Sequence, residues 1–354
     1  MRGAALGTVA AALAIGVAFD PARGAMPAKL GTDDGAFVRG VALGLFATDP
    51  DWDYGPLVDE IRGRGATDVL VVVNAYQSDR FASDITLRPG RSPSHAAVER
   101  TITQVREAGM RAALMPVVRL ERRAPHEWRG RIAPADGLDA WFAVYRGFVL
   151  PLAKIAEERG AERFVVGSEL GSLEAHTQHW RALISQLRGV YSGTLTYSAN
   201  WDRIQSVEFW DTLDEIGLTA YFPLAEDRQA PSAESIARAW RSPRAEIEAI
   251  ARRVGKPVLV TEVGYTSQRS AAGTPWQHST VEDLDLALQQ RLYRGFCDAF
   301  AQTPSLLGFY VWNWFGFGGP RDRGFTPRGK PAANELTKCF ERVWTAPPPV
   351  GNDR

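Results

Sequence analysis

Short apolar runs alternate with longer amphipathic segments along most of this chain. The runs are rich in Val, Ile, Leu and aromatic residues, and they are apolar throughout, which is typical of strands in a parallel sheet that is covered on both faces. The pattern therefore predicts eight strands: GVALGLF (40–46), DVLVVVNAY (68–76), AALMPVVRL (112–120), FVVGSEL (164–170), GTLTYSANW (193–201), EIGLTAYFP (215–223), PVLVTEVGY (257–265) and LLGFYVWNW (306–314).

Segments with helical spacing of apolar residues separate these strands. Helices are predicted over 96–109, 138–160, 176–191, 245–255 and 283–300. Several of them end in Gly where the next strand begins, which is a common signal for a helix C-terminus. Alternation of strand and helix indicates the α/β class. Eight such units over about 300 residues favour a single (β/α)8 TIM barrel.

A doubly wound sheet is the alternative α/β architecture. It requires a Gly-rich nucleotide loop after its first strand, and GLFATDPDWDYG (44–55) lacks the G-x-G-x-x-G spacing. The chain shows no internal linker, repeat or second domain. We therefore expect the barrel to occupy residues 35–345 and the segment 346–354 to be a frayed C-terminal tail.

The N-terminal segment 1–25, MRGAALGTVAAALAIGVAFDPARGA, has one Arg, a stretch of small apolar residues and candidate cleavage sites near Ala18 or Gly24. This pattern predicts a signal peptide and an exported protein, either periplasmic or secreted. An uncleaved membrane anchor is the alternative, but the segment is short and weakly hydrophobic for a membrane span. We expect no stable membrane span after signal cleavage.

The composition is that of a globular protein, with 45% hydrophobic and 23% charged residues in 354. Lys and Arg balance Asp and Glu at 41 each, so the net charge gives no argument for nucleic acid or an anionic membrane as partner. The 11 Trp exceed what core packing usually needs, and indole faces suit flat, hydroxyl-rich ligands. A carbohydrate is therefore the expected partner.

The two cysteines, Cys297 and Cys339, both lie in predicted helices near the C-terminus. Two are too few for a disulfide framework, although an oxidising compartment would permit one bridge. We favour two separate buried thiols.

Two strands end in a carboxylate. Glu169 lies at the end of the fourth strand, in FVVGSEL, and Glu262 lies at the equivalent place in the seventh, in PVLVTEVGY. Because the carboxyl ends of barrel strands line the active-site mouth, both side chains should face one cavity. Paired carboxylates are the equipment for cleaving a glycosidic bond, and each perturbs the titration of the other. For either residue alone, a structural ion pair with Arg is the competing interpretation.

Aromatic and amide residues are predicted at the same rim. They come from the ends of strands two, five, six and eight, and such residues supply stacking surfaces and hydrogen bonds for a sugar ring. The candidates for substrate binding are Asn74, Asn200, Trp201, Trp312 and Trp314, with Tyr221 as a candidate in the catalytic group. Glu121 and Glu226 lie in polar runs that are typical of solvated loops.

Other chemistries find little support in the sequence. The only close histidine pair, His176 and His179, has i,i+3 spacing without an HExxH context, and we expect it to begin a helix instead of holding a metal. There is no GxSxG elbow and no GxxxxGK[ST] loop, and neither Cys has a His nearby in the sequence. We predict no metal and no cofactor.

The chain resembles the retaining glycoside hydrolases of the large barrel clan that carries its catalytic glutamates on strands four and seven. More narrowly, it resembles glycoside hydrolase family 113, whose characterised members are mainly β-1,4-mannanases. The segments that carry the resemblance are VVGSEL (165–170), HWRALISQLRGVYSGTLTYSANW (179–201), LTAYFPL (218–224), VTEVGY (260–265) and YVWNWFGFGGPRDRGFTPRGKPA (310–332).

The resemblance implies a role for individual residues. Glu169 matches the acid/base, Glu262 the nucleophile, and Tyr221 the tyrosine that hydrogen-bonds the nucleophile. Trp312 matches the aromatic floor under the sugar at the cleavage point. The wider clan usually has Asn directly before the acid/base, and Ser168 stands there in this chain, so the usual contact to the sugar 2-hydroxyl must differ.

These observations together predict an exported, monomeric, retaining glycoside hydrolase that cleaves a β-linked polysaccharide or oligosaccharide of the β-1,4-mannan type. Another glucan or cell-surface polysaccharide as substrate would keep the mechanism and change the pocket. A non-catalytic barrel that only binds saccharide is the alternative outside enzymes.

Overall fold

The structure is a computed structural model that describes residues 37–225, 231–277 and 282–344. The predicted signal peptide, the predicted tail and Glu226 lie outside these residues. Within them, eight parallel strands close into a barrel in which each strand pairs with the next and the eighth pairs with the first. The strands are β1 Val38–Gly44, β2 Asp68–Gln77, β3 Arg111–Leu120, β4 Arg163–Ser168, β5 Thr194–Ala199, β6 Ile216–Thr219, β7 Val258–Val263 and β8 Leu306–Val311.

Helices follow the strands and cover the outside of the barrel. They are α1 Gly55–Gly63, α2 His95–Glu107, α3 Leu138–Glu158, α4 Thr177–Arg188, α5 Ala233–Ala239, α6 Arg241–Val254, α7 Leu286–Phe300 and α8 Pro331–Phe340. Strand and helix alternate as the sequence pattern predicts, so the (β/α)8 assignment is confirmed. None of the helices in the described part of the chain combines the length and hydrophobicity that a membrane crossing requires.

The continuously apolar strands are explained by burial on two faces. All ten residues of β2 are buried. Leu70 and Val72 pack inside the barrel with residues such as Met115, whereas Val71 and Val73 belong to the outer core between strands and helices. A strand that contacts apolar neighbours on both faces has no polar face, which is why its sequence shows no alternation.

Charged residues close the amino-terminal end of the barrel. Arg163 at the start of β4 donates two hydrogen bonds to Glu215, with distances of 2.5 and 3.0 Å. Asp68 at the start of β2 accepts two from Arg111, at 2.9 and 2.7 Å. Since the active sites of such barrels lie at the opposite, carboxyl-terminal end of the strands, we assign these pairs to the support of the fold.

The two cysteines form a disulfide, and the preference for separate thiols is wrong. Cys297 in α7 and Cys339 in α8 are bonded, with their Cα atoms 5.9 Å apart. α7 and α8 are separated in the sequence by β8 alone, so they lie side by side on the outside of the barrel. Their buried faces, which carry Cys297 and Cys339, therefore pack against each other. The separation of the two cysteines in the sequence does not indicate this contact.

Candidate active site

A cavity of about 840 Å³ opens at the carboxyl ends of the strands. Its size lies within the range of small-molecule sites. Six of the eight residues predicted for the site line it, namely Glu169, Asn200, Trp201, Tyr221, Glu262 and Trp312. The connection between β3 and α3 supplies much of one wall, and the residues that it adds include Arg123, Trp128, Arg129 and Arg131.

Glu169 follows β4 directly and has an unusual backbone conformation. Its φ is 53°, in the left-handed region, and the strand pairing with β5 shifts register between Val165 and Ser168. Such a conformation costs a non-Gly residue about 1–3 kcal/mol and persists only where the surroundings hold it. The Glu169 amide donates to Ser198 O at 2.8 Å, which fixes the turn. β4 thus ends at Ser168, two residues earlier than the predicted strand (164–170), and the turn that follows directs the Glu169 carboxylate into the cavity.

Two neighbours hold the carboxylate of Glu169. Arg129 Nη2 donates to Oε2 at 2.6 Å, and Thr219 Oγ1 donates to Oε1 at 2.8 Å. Arg129 also donates from Nε to Ser168 O at 3.1 Å. Arg129 therefore contacts both Glu169 and the backbone of Ser168, the residue at the position where the wider clan usually has Asn.

Glu262 lies within β7 and is 3% exposed. Tyr221 donates its hydroxyl hydrogen to Oε2 at 3.1 Å, while Oε1 has no hydrogen-bond partner among the described residues. Burial raises the pKa of Glu262 to about 8, and the charge of Glu169 adds to the rise, whereas Arg129 and the Tyr221 hydrogen bond oppose it. Burial and the nearby Glu262 raise the pKa of Tyr221, which therefore stays a neutral donor.

Thr219 connects the two carboxylates. Its hydroxyl binds Glu169, and its Cα is the register partner of Glu262 across the β6–β7 pair. Neighbouring strands are about 4.8 Å apart. One residue of β6 therefore lies beside both glutamates, which brings the ends of β4 and β7 to the same small volume.

Aromatic rings line the cavity on the side of β5 and the β7–α7 connection. The indoles of Trp201 and Trp276 are stacked, with centroids 5.9 Å apart and planes 22° from parallel. Trp276 is 46% exposed, which leaves a ring face free. Together with Trp312, which directly follows β8, these rings offer stacking surfaces of the kind that sugar rings use.

Two predicted substrate-binding residues do not line this cavity. Asn74 is 3% exposed on the inner side of β2, and its Oδ1 has no hydrogen-bond partner among the described residues. Trp314 is 2% exposed, and its Nε1 donates to Glu60 Oε2 at 3.0 Å. The Trp314 amide bonds to Ala42 O, so the chain after β8 bends over β1 and directs the indole toward α1. The prediction that Trp314 faces the active site is therefore wrong.

The weaker candidates have structural roles. Glu121 lies between Arg88 and Arg91, at 3.1 and 3.3 Å. His176 precedes α4 as predicted, and His179 contacts Asp139 at 2.9 Å. Across the described ranges, no three His, Cys, Asp or Glu side chains are grouped so that they could hold a metal ion.

Several residues of the site escape the sequence interpretation, and they include Trp128, Arg129, Thr219 and Trp276. Arg129 begins a single 3-10 turn, Arg129–Arg131, in the long β3–α3 connection, and Trp276 lies in the connection after β7. Loop conformation leaves no periodic signal in the sequence. Thr219 could have been found, because it is the last residue of its strand, two positions before Tyr221.

A closed (β/α)8 barrel with two glutamates at the ends of β4 and β7 defines a class of enzyme that hydrolyses glycosidic bonds. Comparison with known families agrees. The sequence model of Glycoside Hydrolase Family 113 matches residues 56–319, and the chain belongs to this family. The protein is therefore a glycoside hydrolase.

Solved structures share the fold. A GH113 β-1,4-mannanase complex is 23% identical, covers 86% of this chain and 99% of its own, and superposes with a TM-score of 0.78. The GH113 β-mannanase AaManA from Alicyclobacillus acidocaldarius in complex with ManMIm is 24% identical, covers 87% and 98%, and has a TM-score of 0.77. A GH5_18 protein from Bifidobacterium longum subsp. infantis is 17% identical over 90% and 82%, with a TM-score of 0.61. No curated protein sequence matches the chain.

Proposed function

We propose that this enzyme hydrolyses β-1,4-linked, mannan-type chains with retention of anomeric configuration. The observation that carries the proposal is the position of Thr219, which binds Glu169 and pairs in register with Glu262. Retaining enzymes need their two carboxyl groups about 5–5.5 Å apart, whereas inverting enzymes leave room for a water molecule between them. A single strand residue beside both glutamates supports the shorter separation.

Glu262 is the proposed nucleophile. Its Oε1, which has no hydrogen-bond partner among the described residues, attacks the anomeric carbon while the glycosidic C–O bond breaks. Tyr221 keeps Oε2 in a hydrogen bond and so fixes the direction of the attacking oxygen. The product of this step is a glycosyl-enzyme ester on Glu262.

Glu169 is the proposed acid/base. It gives its proton to the departing glycosidic oxygen in the first step. In the second step it takes a proton from the water that attacks the anomeric carbon, while the bond from that carbon to Glu262 breaks. The second step releases Glu262 as a carboxylate and the sugar with its original configuration. Trp312, Trp201 and Trp276 are proposed to hold the sugar rings against the cavity wall.

The substrate follows from the family comparisons. The structures with the highest similarity reported above are named β-1,4-mannanases and β-mannanase. The stacked Trp201 and Trp276 are compatible with a chain of several sugars, because both indoles line the cavity and together form one aromatic surface. We propose β-1,4-mannan as the backbone for this chain on that basis.

Export of the protein is a further part of the proposal. The Cys297–Cys339 disulfide supports it, since disulfides persist in oxidising compartments outside the cytoplasm. A polysaccharide substrate is also found outside the cell.

The test is hydrolysis of β-1,4-mannan and manno-oligosaccharides, followed by mass spectrometry and by NMR of the first-formed anomer. Wild type should release products of retained configuration. Glu169→Ala should lower kcat by about 10²–10⁴-fold, as expected for the loss of a general acid. Azide should restore turnover in both variants. In Glu262→Ala it replaces the nucleophile, whereas in Glu169→Ala it replaces the water of the second step. The two glycosyl azides should therefore have opposite anomeric configurations.

Glu99→Ala serves as the control for loss of a carboxylate, since Glu99 pairs with Arg159 on the helical surface. Its activity should equal that of wild type. An inverted product from wild type would contradict the retaining mechanism, and full activity of both catalytic variants would contradict the assignment of the site.

A further inference from the structure

A second pocket adjoins the active-site cavity behind the β3–α3 connection. It has a volume of about 320 Å³. Four of its residues, Arg119, Arg123, Trp128 and Arg129, also line the active-site cavity. We call it the arginine pocket, and its other lining residues are Tyr76, Arg91, Val118, Leu120 and Glu121. Because the two cavities share these four lining residues, a group bound in this pocket would lie next to a sugar bound beside the catalytic glutamates.

The arginine pocket carries an excess of positive charge. Four arginines line it and the only carboxylate among its lining residues is Glu121. Glu121 is already engaged by Arg88 and Arg91, at 3.1 and 3.3 Å. Arg129 is engaged by Glu169. No carboxylate of the described residues forms a salt bridge with the remaining two, Arg119 and Arg123.

Of these two arginines, Arg119 is the one whose charge is disfavoured by its surroundings. It leaves the end of β3 with its side chain exposed to the cavity, and its guanidinium lies 5.4 Å from the centre of the Phe46 ring. Burial by the surrounding protein lowers the pKa of Arg119, and the charge of Arg129 lowers it further. The charge of Glu262 opposes this effect, but no carboxylate of the described residues lies within salt-bridge distance of the guanidinium. An exposed guanidinium without an ion-pair partner is available to bind an anionic ligand.

An effect on the catalytic glutamates does not account for all four arginines of the arginine pocket. Arg119 and Arg129 both lower the pKa of Glu262, and this alone could explain their presence. Arg123 is not among the main charges that act on Glu262, yet it lines both cavities. Guanidinium groups bind carboxylates and phosphates through paired hydrogen bonds, whereas sugar hydroxyls need no net charge.

We propose that the substrate of this enzyme is an acidic polysaccharide, whose sugars carry an oxyanion that the arginine pocket receives. The oxyanion is either the carboxylate of a uronic acid or a phosphate ester, since both match the guanidinium fork. The inference rests on the proposed function, because it assumes that a sugar occupies the cavity beside Glu169 and Glu262. Arg129 would contact both Glu169 and the oxyanion, and thus connect recognition to catalysis.

The first test is binding, measured by titration calorimetry with the full-length Glu262→Gln variant so that the ligand is not consumed. The ligands are β-1,4-mannohexaose, the β-1,4-linked hexamer of mannuronic acid, and mannohexaose phosphorylated at C6. The linkage is the same in all three, and they differ at C6. We expect at least one acidic ligand to bind about tenfold more tightly than mannohexaose at low salt, with a preference that falls as salt increases. The ligand that shows the preference identifies the source of the oxyanion.

Substitutions in the arginine pocket test whether it causes the preference for the acidic ligand. Arg119→Gln and Arg123→Gln, each combined with Glu262→Gln, should reduce the preference for the acidic ligand toward unity. Arg122→Gln is the control, because Arg122 is adjacent in sequence, pairs with Asp79 at 3.0 Å and lines neither cavity. It should retain the full preference. Arg123 is exposed on a loop, so its replacement tests the pocket without threatening the fold.

Equal affinity for the neutral and both acidic ligands would overturn the inference, and so would a preference that survives loss of Arg119 and Arg123 together. Hydrolysis by wild type is scored separately. Cleavage of mannohexaose without any acidic preference would refute the inference and leave the proposed function intact. Arginine-dependent binding of the acidic hexamer without cleavage of any of the ligands would refute the proposed function and leave the pocket assigned.

Discussion

Arg129 Nη2 lies 2.6 Å from Glu169 Oε2, so the carboxylate proposed as the acid is held by a cation in the free enzyme. Glu262 is buried, and its pKa is raised to about 8 by that burial and by the charge of Glu169. When two carboxyl groups share one proton, a cation beside the first favours the proton on the second. The proposed mechanism needs the opposite distribution, with the proton on Glu169, once the sugar is in place.

Replacement of Arg129 tests how this cation affects substrate binding and the two catalytic glutamates. In Arg129→Gln the cation is lost, and we expect KM for the mannuronic acid hexamer to rise about tenfold, which corresponds to one charge-assisted contact of about 1.4 kcal/mol. Because Arg129 also lowers the pKa of Glu262, its loss should reduce the ionised fraction of the nucleophile, and we expect kcat/KM on neutral mannohexaose to fall as well, but by less than on the mannuronic acid hexamer. Steady-state kinetics on both ligands separates these effects. An equal fall in kcat/KM on both ligands would instead show that Arg129 acts on the catalytic glutamates alone.

Tyr221→Phe removes the hydrogen bond to Glu262 Oε2. That bond lowers the pKa of Glu262, so its loss should raise the pKa further and reduce the ionised fraction of the nucleophile. We expect kcat/KM to fall about tenfold near neutral pH, and the acidic limb of its pH profile to move to higher pH. An unchanged acidic limb with lower activity at every pH would mean that Tyr221 contributes orientation only.

The raised pKa of Glu262 also predicts a pH dependence of stability. Its ordinary value is 4.5 and the folded value is about 8. Between these values the folded protein holds a proton that the unfolded chain has lost, so this group makes the free energy of unfolding decrease as pH rises from about 4.5 to 8. One unit of pKa corresponds to about 1.4 kcal/mol.

Glu262→Gln removes this dependence, and the variant should melt a few degrees higher than wild type at pH 7.5, with a smaller difference at pH 4.5. Thermal unfolding of both proteins across this range provides the measurement. A variant that is less stable than wild type at pH 7.5 would contradict the buried, neutral state of Glu262.

The Arg163–Glu215 pair should dominate the stability of the amino-terminal end of the barrel. Glu215→Ala leaves the guanidinium of Arg163 buried without its partner, and removing one member of a buried pair costs about 3–5 kcal/mol. Chemical denaturation should show this loss with kcat unchanged in the protein that remains folded. Asp211→Ala is the control, because Asp211 pairs with Arg181 at an exposed site and should cost less than about 1 kcal/mol.

The barrel and its paired glutamates could be predicted because both depend on local patterns. Buried parallel strands must be apolar throughout, and a carboxylate such as Glu169 or Glu262 that ends such a run stands out against it. The parallel arrangement then brings all strand ends to one side, so that no knowledge of loops is needed. Tyr221 could be predicted because it also lies at the end of a predicted strand.

The remaining features depend on contacts that the sequence pattern does not encode. Arg129 reaches Glu169 from a connection 40 residues away in the chain, and Cys297 meets Cys339 only because two helices pack together. Trp314 follows β8 by three residues, yet a bend over β1 directs it outward. The balance of 41 basic and 41 acidic residues gives no argument for an anionic partner, but an average over the chain does not show that arginines are clustered beside the active site.

The proposed recognition of charge and the proposed bond cleavage depend largely on different parts of the polypeptide. Glu169, Thr219 and Glu262 stand on or directly after strands of the closed barrel, whereas Arg123 and Arg129 belong to one connection between β3 and α3. Connections of this kind tolerate insertion and exchange far better than strands do. During divergence from a common ancestor, changes in this single loop could switch the enzyme between charged and uncharged glycans while the reaction itself stayed the same.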